Sequence, residues 1–261
     1  MMLRSFSAGS TNWEWPLSRI PTTLQALSKK IDPTPTIRMA MDINPSLKKV
    51  YIVYDNSESG LSTGQMVMDQ IDAMKLGLEL FPMNRLSMEQ IQATASALSP
   101  DSIVLMTTYF SDSTGRIVEF DRFAGELGKS SSVPVYHIYD FGLNHGAFGG
   151  SLISGRIQGQ TAADLAQRIL QGEQAGKIPV VTDSNVRKVF DYNELQRFKI
   201  SPDKLPKGSE VINEPFSFYQ TYKVLVLSIV AAFAVLVAFI LVLLFYVQLV
   251  RRIRSNLEKK Q

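Results

Sequence analysis

Cysteine is absent from the 261-residue sequence, and histidine occurs only at His137 and His145. Without cysteine the chain can form no disulfide bond, no thiol nucleophile and no Cys-ligated metal site. A zinc site would need carboxylates in addition to the two imidazoles. The sequence therefore predicts neither a metal site nor a cofactor.

Charge is also missing from one long stretch. Residues 224–250 are 27 consecutive residues without Asp, Glu, Lys or Arg. A helix needs about 20 apolar residues to cross a bilayer core of about 30 Å. It also satisfies its backbone hydrogen bonds internally, as lipid requires. We therefore predict one transmembrane helix over residues 224–250.

The two flanks of this helix differ in composition. The tail, residues 251–261, carries five basic residues and one acid, a net charge of +4. The preceding flank carries four aromatic residues, Phe216, Phe218, Tyr219 and Tyr222. Basic flanks stay cytoplasmic, and aromatic rings lie at the membrane interface. We predict a single-pass protein of the bacterial inner (cytoplasmic) membrane, with residues 1–223 periplasmic or extracellular and the C-terminus cytoplasmic.

The charge balance also bears on partners. The whole chain has a net charge of +3, so the +4 tail leaves residues 1–223 at −1. The basic isoelectric point therefore comes from the tail. It does not indicate a nucleic-acid partner.

The first sixteen residues, MMLRSFSAGSTNWEWP, lack the apolar core of about 7–15 residues that marks a signal peptide. We expect the chain to be a fragment of a longer exported protein, or a tail-anchored protein with its large domain inside the cell. Tail anchoring would require the basic tail to cross the membrane, so the fragment is the favoured interpretation.

Prolines and composition suggest the domain boundaries. Five prolines interrupt residues 1–45, which predicts a linker with one or two short helices, such as Thr22–Lys30 and Ile37–Ile43. We assign residues 46–200 to an α/β lobe and residues 201–223 to a juxtamembrane return segment.

Short apolar runs alternate with amphipathic stretches inside the lobe. The runs predict buried strands at Val50–Tyr54, Ser102–Thr107 and Val135–Ile138, with a further candidate at Leu78–Phe81. The stretches predict helices at Thr63–Lys75, Ser87–Leu98, Phe120–Leu127 and Thr161–Leu170, the second opening on a capping-box pattern. This alternation predicts βαβ units and a parallel sheet.

Three polar loops follow predicted strands: residues 55–60, 108–112 and 139–145. In parallel α/β sheets, ligands bind at the loops that leave the carboxyl ends of strands. We therefore expect a small-molecule ligand to contact Asp55, Asn56, Tyr109, Asp112, Tyr139, Asp140 and His145. The alternative is that these polar side chains only cap helices and stabilise turns.

A serine hydrolase is a second interpretation. Residues 60–64 match the G-x-S-x-G pattern with Ser62 at its centre, and Asp140 and His145 follow in hydrolase order. The nucleophile must lie on a tight strand-to-helix turn, but five polar residues separate the strand from Gly60. The glycine-rich run 145–150 is predicted to be a flexible turn, and His137 a hydrogen-bonded core histidine.

Several segments together resemble a known family. They are Val133–Tyr136, Gly149–Gly150, Gly159–Gln160, Ala162–Ala163, Ile169–Glu173, Ile178–Val181, Phe190–Leu195 and Leu205–Ser209. They resemble the ABC-transporter-type substrate-binding-protein domain that serves as the extracytoplasmic sensor of bacterial sensor histidine kinases and diguanylate cyclases. The resemblance covers roughly residues 36–223 and continues into the transmembrane helix, as in that family.

The resemblance implies a type I periplasmic-binding-protein-like α/β fold that binds a small molecule and has no catalytic activity of its own. Family members have two lobes around a cleft. From this resemblance we expect the first lobe to be absent or reduced to residues 1–35, and the kinase or cyclase output domain to be missing. We expect the membrane-anchored, ligand-sensing domain of a truncated receptor. The alternatives are the hydrolase and a membrane-tethered interaction module without a small ligand.

The tail also suggests a homodimer. Val250, Ile253 and Leu257 have the spacing of a short coiled-coil seam, and neither Gly nor Pro interrupts residues 224–261. We expect a homodimer through the transmembrane helix and tail. A simple basic anchor is the alternative.

Overall fold

The computed structural model describes residues 31–179, 186–216 and 222–258. The chain divides into two compact units, Met1–Asn213 and Glu214–Gln261. The first is an α/β domain built around one sheet, and the second contains a long apolar helix.

The sheet of the α/β domain has seven strands in the order β2-β1-β3-β4-β5-β6-β7. The strands are β1 (Lys49–Val53), β2 (Glu79–Pro82), β3 (Ser102–Met106), β4 (Val135–His137), β5 (Gly149–Ile153), β6 (Val186–Asp191) and β7 (Glu210–Ile212). Strands β1 to β5 are parallel, β6 pairs antiparallel with β5, and β7 is parallel to β6. The predicted α/β class and mostly parallel sheet are confirmed.

Among the described residues of this domain, six α-helices accompany the strands. They are α1 (Thr34–Ile43), α2 (Glu58–Ala73), α3 (Met88–Ser96), α4 (Phe120–Ser130), α5 (Gly155–Leu170) and α6 (Tyr192–Arg197). The predicted capping box is confirmed, since Ser87 and Gln90 exchange side-chain hydrogen bonds with each other's backbone amides. The start predicted for α5 at Thr161 is wrong. The Ser154 hydroxyl accepts from the Ile157 amide and starts the helix at Gly155.

The apolar core lies on both faces of the sheet. Helices α1 and α2 pack on one face, and α3 and α4 on the other. Ile37 and Ala40 of α1 are fully buried, and the Thr36 hydroxyl accepts a hydrogen bond from the Ser151 amide of β5 at 3.0 Å. The short helix predicted at Ile37–Ile43 is therefore present within α1, and its apolar face is part of the core.

Strands β5 to β7 are absent from the sequence prediction. Gly149 begins β5 with a φ of 140°, and a Cβ there would lie 2.3 Å from the carbonyl oxygen of Val189 in β6. The flexible turn predicted for residues 145–150 is therefore wrong at Gly149 and Gly150, where glycine permits close strand pairing. Strand β7 likewise places part of the predicted juxtamembrane return segment inside the sheet.

The C-terminal unit contains α7 (Lys223–Glu258), one uninterrupted helix of 36 residues. Within its segment Lys223–Arg252, the most apolar stretch of 18 residues has a mean hydropathy of 3.2, and none of that stretch is buried. By length and composition this helix could cross a membrane. The sequence prediction of one long apolar C-terminal helix is confirmed.

Candidate functional site

The strand order creates a switch point in the α/β domain. In the order β2-β1-β3-β4-β5, the chain runs from β1 to one side for β2 and then crosses to the other side for β3. At such a switch point the loops leaving neighbouring strands diverge and form a crevice. The loops after β1, β3 and β4 meet at this edge, which we call the carboxyl edge.

Asp55, directly beyond β1, ties two of these loops together. One carboxylate oxygen accepts from the amide and the hydroxyl of Ser57, and the other accepts from the Phe110 amide at 2.8 Å. The side chain is buried, and a Cβ at Gly60 would lie only 2.1 Å from its Oδ1. Asp55 therefore holds the loops after β1 and β3 in register and presents no free oxygen to a ligand.

Asn56 is exposed beside Asp55. Its amide group donates to the carbonyl of Asn84 at 2.9 Å, and its Oδ1 accepts from the Asn84 side chain at 2.8 Å. This pair joins the loops after β1 and β2. Two ligand-binding residues were predicted in the first loop, Asp55 and Asn56. Of these two, Asn56 is the one that faces solvent.

Tyr109 and Asp112 have structural roles in the loop after β3. Tyr109 has no exposed surface, its ring stacks on Phe123 at 4.8 Å, and burial raises its pKa. Burial alone would raise the pKa of Asp112, but hydrogen bonds from Thr114 and Arg116 outweigh it and hold that pKa below its usual range. Because both side chains are enclosed, neither offers the ligand contact predicted for it.

The loop after β4 holds the other predicted residues. Tyr139 is buried, and its ring stacks on Phe141 at 5.1 Å with an interplanar angle of 15°. Asp140 is half-buried and opens a short 3-10 turn. His145 lies apart from them, with its Nε2 3.8 Å from an Asp121 carboxylate oxygen at the start of α4.

Two exposed phenylalanines occupy the carboxyl edge, and the sequence prediction did not include them. Phe110 is 52% exposed and Phe141 is 41% exposed. Phe120 lies between them, with ring centroids 6.1 Å from Phe110 and 4.6 Å from Phe141. We call Phe110, Phe120 and Phe141 the aromatic notch. Phe110 directly follows Tyr109, and Phe141 lies two residues after Tyr139. Both tyrosines were predicted from the sequence as ligand contacts.

Two buried polar atoms near the notch have no hydrogen-bond partner among the described residues. They are Oγ1 of Thr108 and Nε2 of His137. The His137 ring meets Phe120 edge-on at 6.1 Å, and burial together with nearby His145 lowers the His137 pKa to about 3. His137 is therefore a buried, neutral histidine, as predicted, but within the part of the chain that the structure describes its Nε2 lacks the hydrogen bond that the prediction included. Unpartnered buried groups in a native protein call for a water, a ligand or another explanation.

A separate groove of about 590 Å³ runs along α4, towards the loop before β5 and the ends of β6 and β7. Charged and amide side chains dominate its lining, including Asp121, His145, Asp191, Glu194 and Asn213. Small-molecule sites are mostly apolar with a few polar groups. The notch fits that description better than this groove.

The hydrolase interpretation finds no geometric support. Ser62 is exposed within the second turn of α2, not on a tight turn between a strand and a helix. His145 pairs with Asp121 instead of Asp140. Within the described ranges, no cluster of three or more His, Cys, Asp or Glu residues could hold a metal ion.

Solved structures of similar fold come from several bacteria. A ligand-free, open substrate-binding protein with adhesive properties from Clostridium difficile aligns with a TM-score of 0.55 and 16% identity, over 73% of this chain and 63% of its own. An ABC domain in complex with L-Trp from Streptococcus pneumoniae aligns with a TM-score of 0.53 and 16% identity, over 72% of this chain and 64% of its own. A conserved domain protein from Vibrio cholerae aligns with a TM-score of 0.51 and 18% identity, over 72% of this chain and 62% of its own. The chain thus spans less than two thirds of each of these proteins.

The family comparison agrees with this likeness. No curated protein matches the chain. The family described as ABC transporter substrate binding protein matches residues 21–207, which is most of the sequence. The chain therefore belongs to the ABC transporter substrate binding protein family.

Proposed function

We propose that the α/β domain binds a small molecule at its carboxyl edge, with the aromatic notch as the principal contact. The observation that carries this proposal is the pair of exposed phenylalanines at the carboxyl edge, Phe110 beyond β3 and Phe141 beyond β4. Both rings contact Phe120, and contiguous exposed apolar patches often mark interaction or ligand sites. Family membership and a similar domain described in complex with L-Trp support a small-molecule ligand.

The proposal includes a receptor role on a membrane. The apolar helix α7, the aromatic residues before it and the basic tail after it support a single-pass anchor with the α/β domain outside the cytoplasm. In this role the domain senses a ligand and carries no catalytic activity of its own. The homodimer through α7 and the tail stays a prediction.

A ligand screen on the full chain in lipid nanodiscs tests the binding function. Amino acids, sugars, nucleosides and polyamines are compared by their effect on the unfolding temperature, since a ligand specific for the folded state stabilises it by mass action. We expect at least one compound to raise that temperature in a concentration-dependent manner. Phe141→Ala should weaken its binding about tenfold or more, because the largest apolar contact is lost.

Ile117→Ala is the matched control. Ile117 is an apolar side chain that is 88% exposed and lies outside the notch, so its loss should leave binding unchanged. A stabilising ligand whose affinity survived both Phe110→Ala and Phe141→Ala would contradict the notch as the site. Labelling of Ser62 by a fluorophosphonate would instead revive the hydrolase.

A further inference from the structure

Helix α5 packs weakly against the domain for a helix of its length. Of its 16 residues, only Leu165 is buried. Two glycines, Gly155 and Gly159, lower its intrinsic stability, and an isolated helix of about 15 residues is marginal in water. The helix therefore needs a partner in addition to the contacts that the described residues provide.

The uncovered surface of α5 is a single apolar face. At about 100° per residue, its exposed residues without a polar side chain fall within an arc of about 120°. We call them the α5 face: Gly155, Gly159, Ala162, Ala163, Ala166, Ile169 and Leu170. Leu170 is 87% exposed and Ile169 is 37% exposed. The exposed polar residues Gln160, Asp164 and Gln167 occupy the neighbouring arc, so the helix is amphipathic on its solvent side.

We propose that residues 13–30 of the same chain dock on the α5 face. Ile31, which follows this segment, belongs to the apolar core, and its carbonyl accepts a hydrogen bond from the Gln70 side chain at 3.0 Å. Five residues further on, the Thr36 hydroxyl accepts from the Ser151 amide, four residues before α5 begins. The segment therefore enters the domain beside the strand that leads into α5. This inference goes beyond the proposed function and does not depend on it.

The composition of the segment suits an apolar partner. Its large apolar residues are Trp13, Trp15, Leu17, Ile20, Leu24 and Leu27. Leu24, Leu27 and Ile31 have the i, i+3, i+7 spacing of one helical face. The helix predicted at Thr22–Lys30 lies outside the described residues, but this spacing and the burial of Ile31 lead us to expect both leucines against the domain. Eighteen residues reach up to about 60 Å when extended, against about 24 Å for the length of α5.

A second copy of the chain is a less suitable occupant. The α5 face is about 24 Å long and about 10 Å wide, which corresponds to about 240 Å². Stable interfaces between separate proteins bury about 800 Å² on each partner. A segment of the same chain can bind through a smaller area, because its covalent attachment gives it a high effective concentration.

Engineered cysteines test the contact directly, because the chain has none of its own. Leu24→Cys and Leu27→Cys are each combined with Ala166→Cys on the α5 face. The matched control replaces Ala166→Cys by Gln167→Cys, the next residue, which is also exposed but lies on the polar side. The full chain in phosphatidylcholine vesicles is treated with a short bifunctional maleimide, and the products are separated by mass.

We expect a cross-link within one chain for at least one pair that contains Ala166→Cys, and much less for the pairs that contain Gln167→Cys. Equal cross-linking of both sets, or none in either, would overturn the docking. A product with the mass of two chains would overturn it in favour of a second copy.

Tryptophan fluorescence gives a second measurement, since Trp13 and Trp15 are the only tryptophans in the chain. Leu170→Asp should shift their emission to longer wavelength and increase quenching by acrylamide, because burial of a carboxylate opposes the apolar contact. Ile117→Asp is the control, at a side chain that is 88% exposed in another loop, and should change neither property. Equal effects of the two variants, or no effect of Leu170→Asp, would contradict the proposal. Quenching of the wild-type emission by brominated lipids would place the tryptophans in the bilayer and overturn it.

Discussion

At the residue scale, the sequence predicted three polar loops at one edge of the sheet but not which of their side chains are exposed. It placed polar and aromatic residues beyond β1, β3 and β4, and the structure brings these loops to one edge. It favoured Tyr109, which is buried, over its neighbour Phe110, which is exposed. Adjacent residues in a loop point in different directions, and only the packed fold decides which one enters the core. Residue type alone therefore could not identify the notch.

His137 gives a prediction about pH. Its folded-state pKa is about 3, whereas an unfolded histidine titrates near about 6.5. The unfolded chain therefore takes up the proton first as the pH falls. The stability that depends on a neutral His137 is complete above about pH 6.5 and is lost towards pH 3, at about 1.4 kcal/mol per pH unit.

His137→Leu removes this titration while keeping an apolar side chain of similar size. We expect the unfolding temperature of the full chain in nanodiscs to fall less steeply between pH 6 and pH 4 in the variant than in the wild type. The comparison at pH 8, where the imidazole is neutral in both states, supplies the baseline. Parallel curves for the two proteins would contradict a buried neutral histidine.

At the element scale, elements with a local sequence signal were predicted, and strands without one were missed. Strands β1, β3 and β4 are short buried apolar runs, and α3 opens on a capping box. Strand β5 begins with two glycines, and β6 is only partly apolar along its length. Their pairing depends on a distant partner strand, and such contacts leave no local pattern to read.

The end of α4 depends on one side chain from another element. Arg197 of α6 donates through Nη1 to the carbonyl of Gly128 and through Nη2 to those of Lys129, at 2.9 Å, and Ser131. The last carbonyls of a helix have no partner within the helix, and a cation is favourable there. Arg197 therefore fixes α4, whose first turn carries Phe120 of the notch.

We expect Arg197→Ala to lower the free energy of unfolding by about 2–3 kcal/mol, because several carbonyls lose a charged donor. Arg197→Lys should recover part of the lost stability through its positive charge. The recovery should be incomplete, because an ammonium group cannot reproduce the several donors of the planar guanidinium. Arg168→Ala is the control: Arg168 forms an exposed pair with Glu173, and its removal should change little. Thermal unfolding measures all three, and equal losses for Arg197→Ala and Arg168→Ala would count against the capping role.

At the scale of the whole molecule, composition predicted the division into a mixed α/β domain and an apolar helix. The charge-free stretch predicted the apolar helix, because a surface helix of a soluble domain normally has a polar face. The size of the sheet was not predictable in the same way. Strands β6 and β7 come after the last clear βαβ unit, and β6 joins the sheet in the antiparallel direction.

Membrane topology is the prediction that belongs to this scale. In this cysteine-free chain, Lys207→Cys lies in the α/β domain and Ser255→Cys follows the apolar segment. If the basic tail is cytoplasmic, an impermeant maleimide should label Lys207→Cys in intact spheroplasts and Ser255→Cys only after lysis. The reverse pattern would support the tail-anchored arrangement.

The uninterrupted course of α7 has a mechanical consequence. Its 36 residues correspond to a rod about 54 Å long, against a hydrocarbon core of about 30 Å. With neither Gly nor Pro between residues 224 and 258, the rod has no built-in joint. A push or a twist applied at one end would therefore reach the other end almost undiminished. A thicker or thinner bilayer would change the tilt of the rod and not its length.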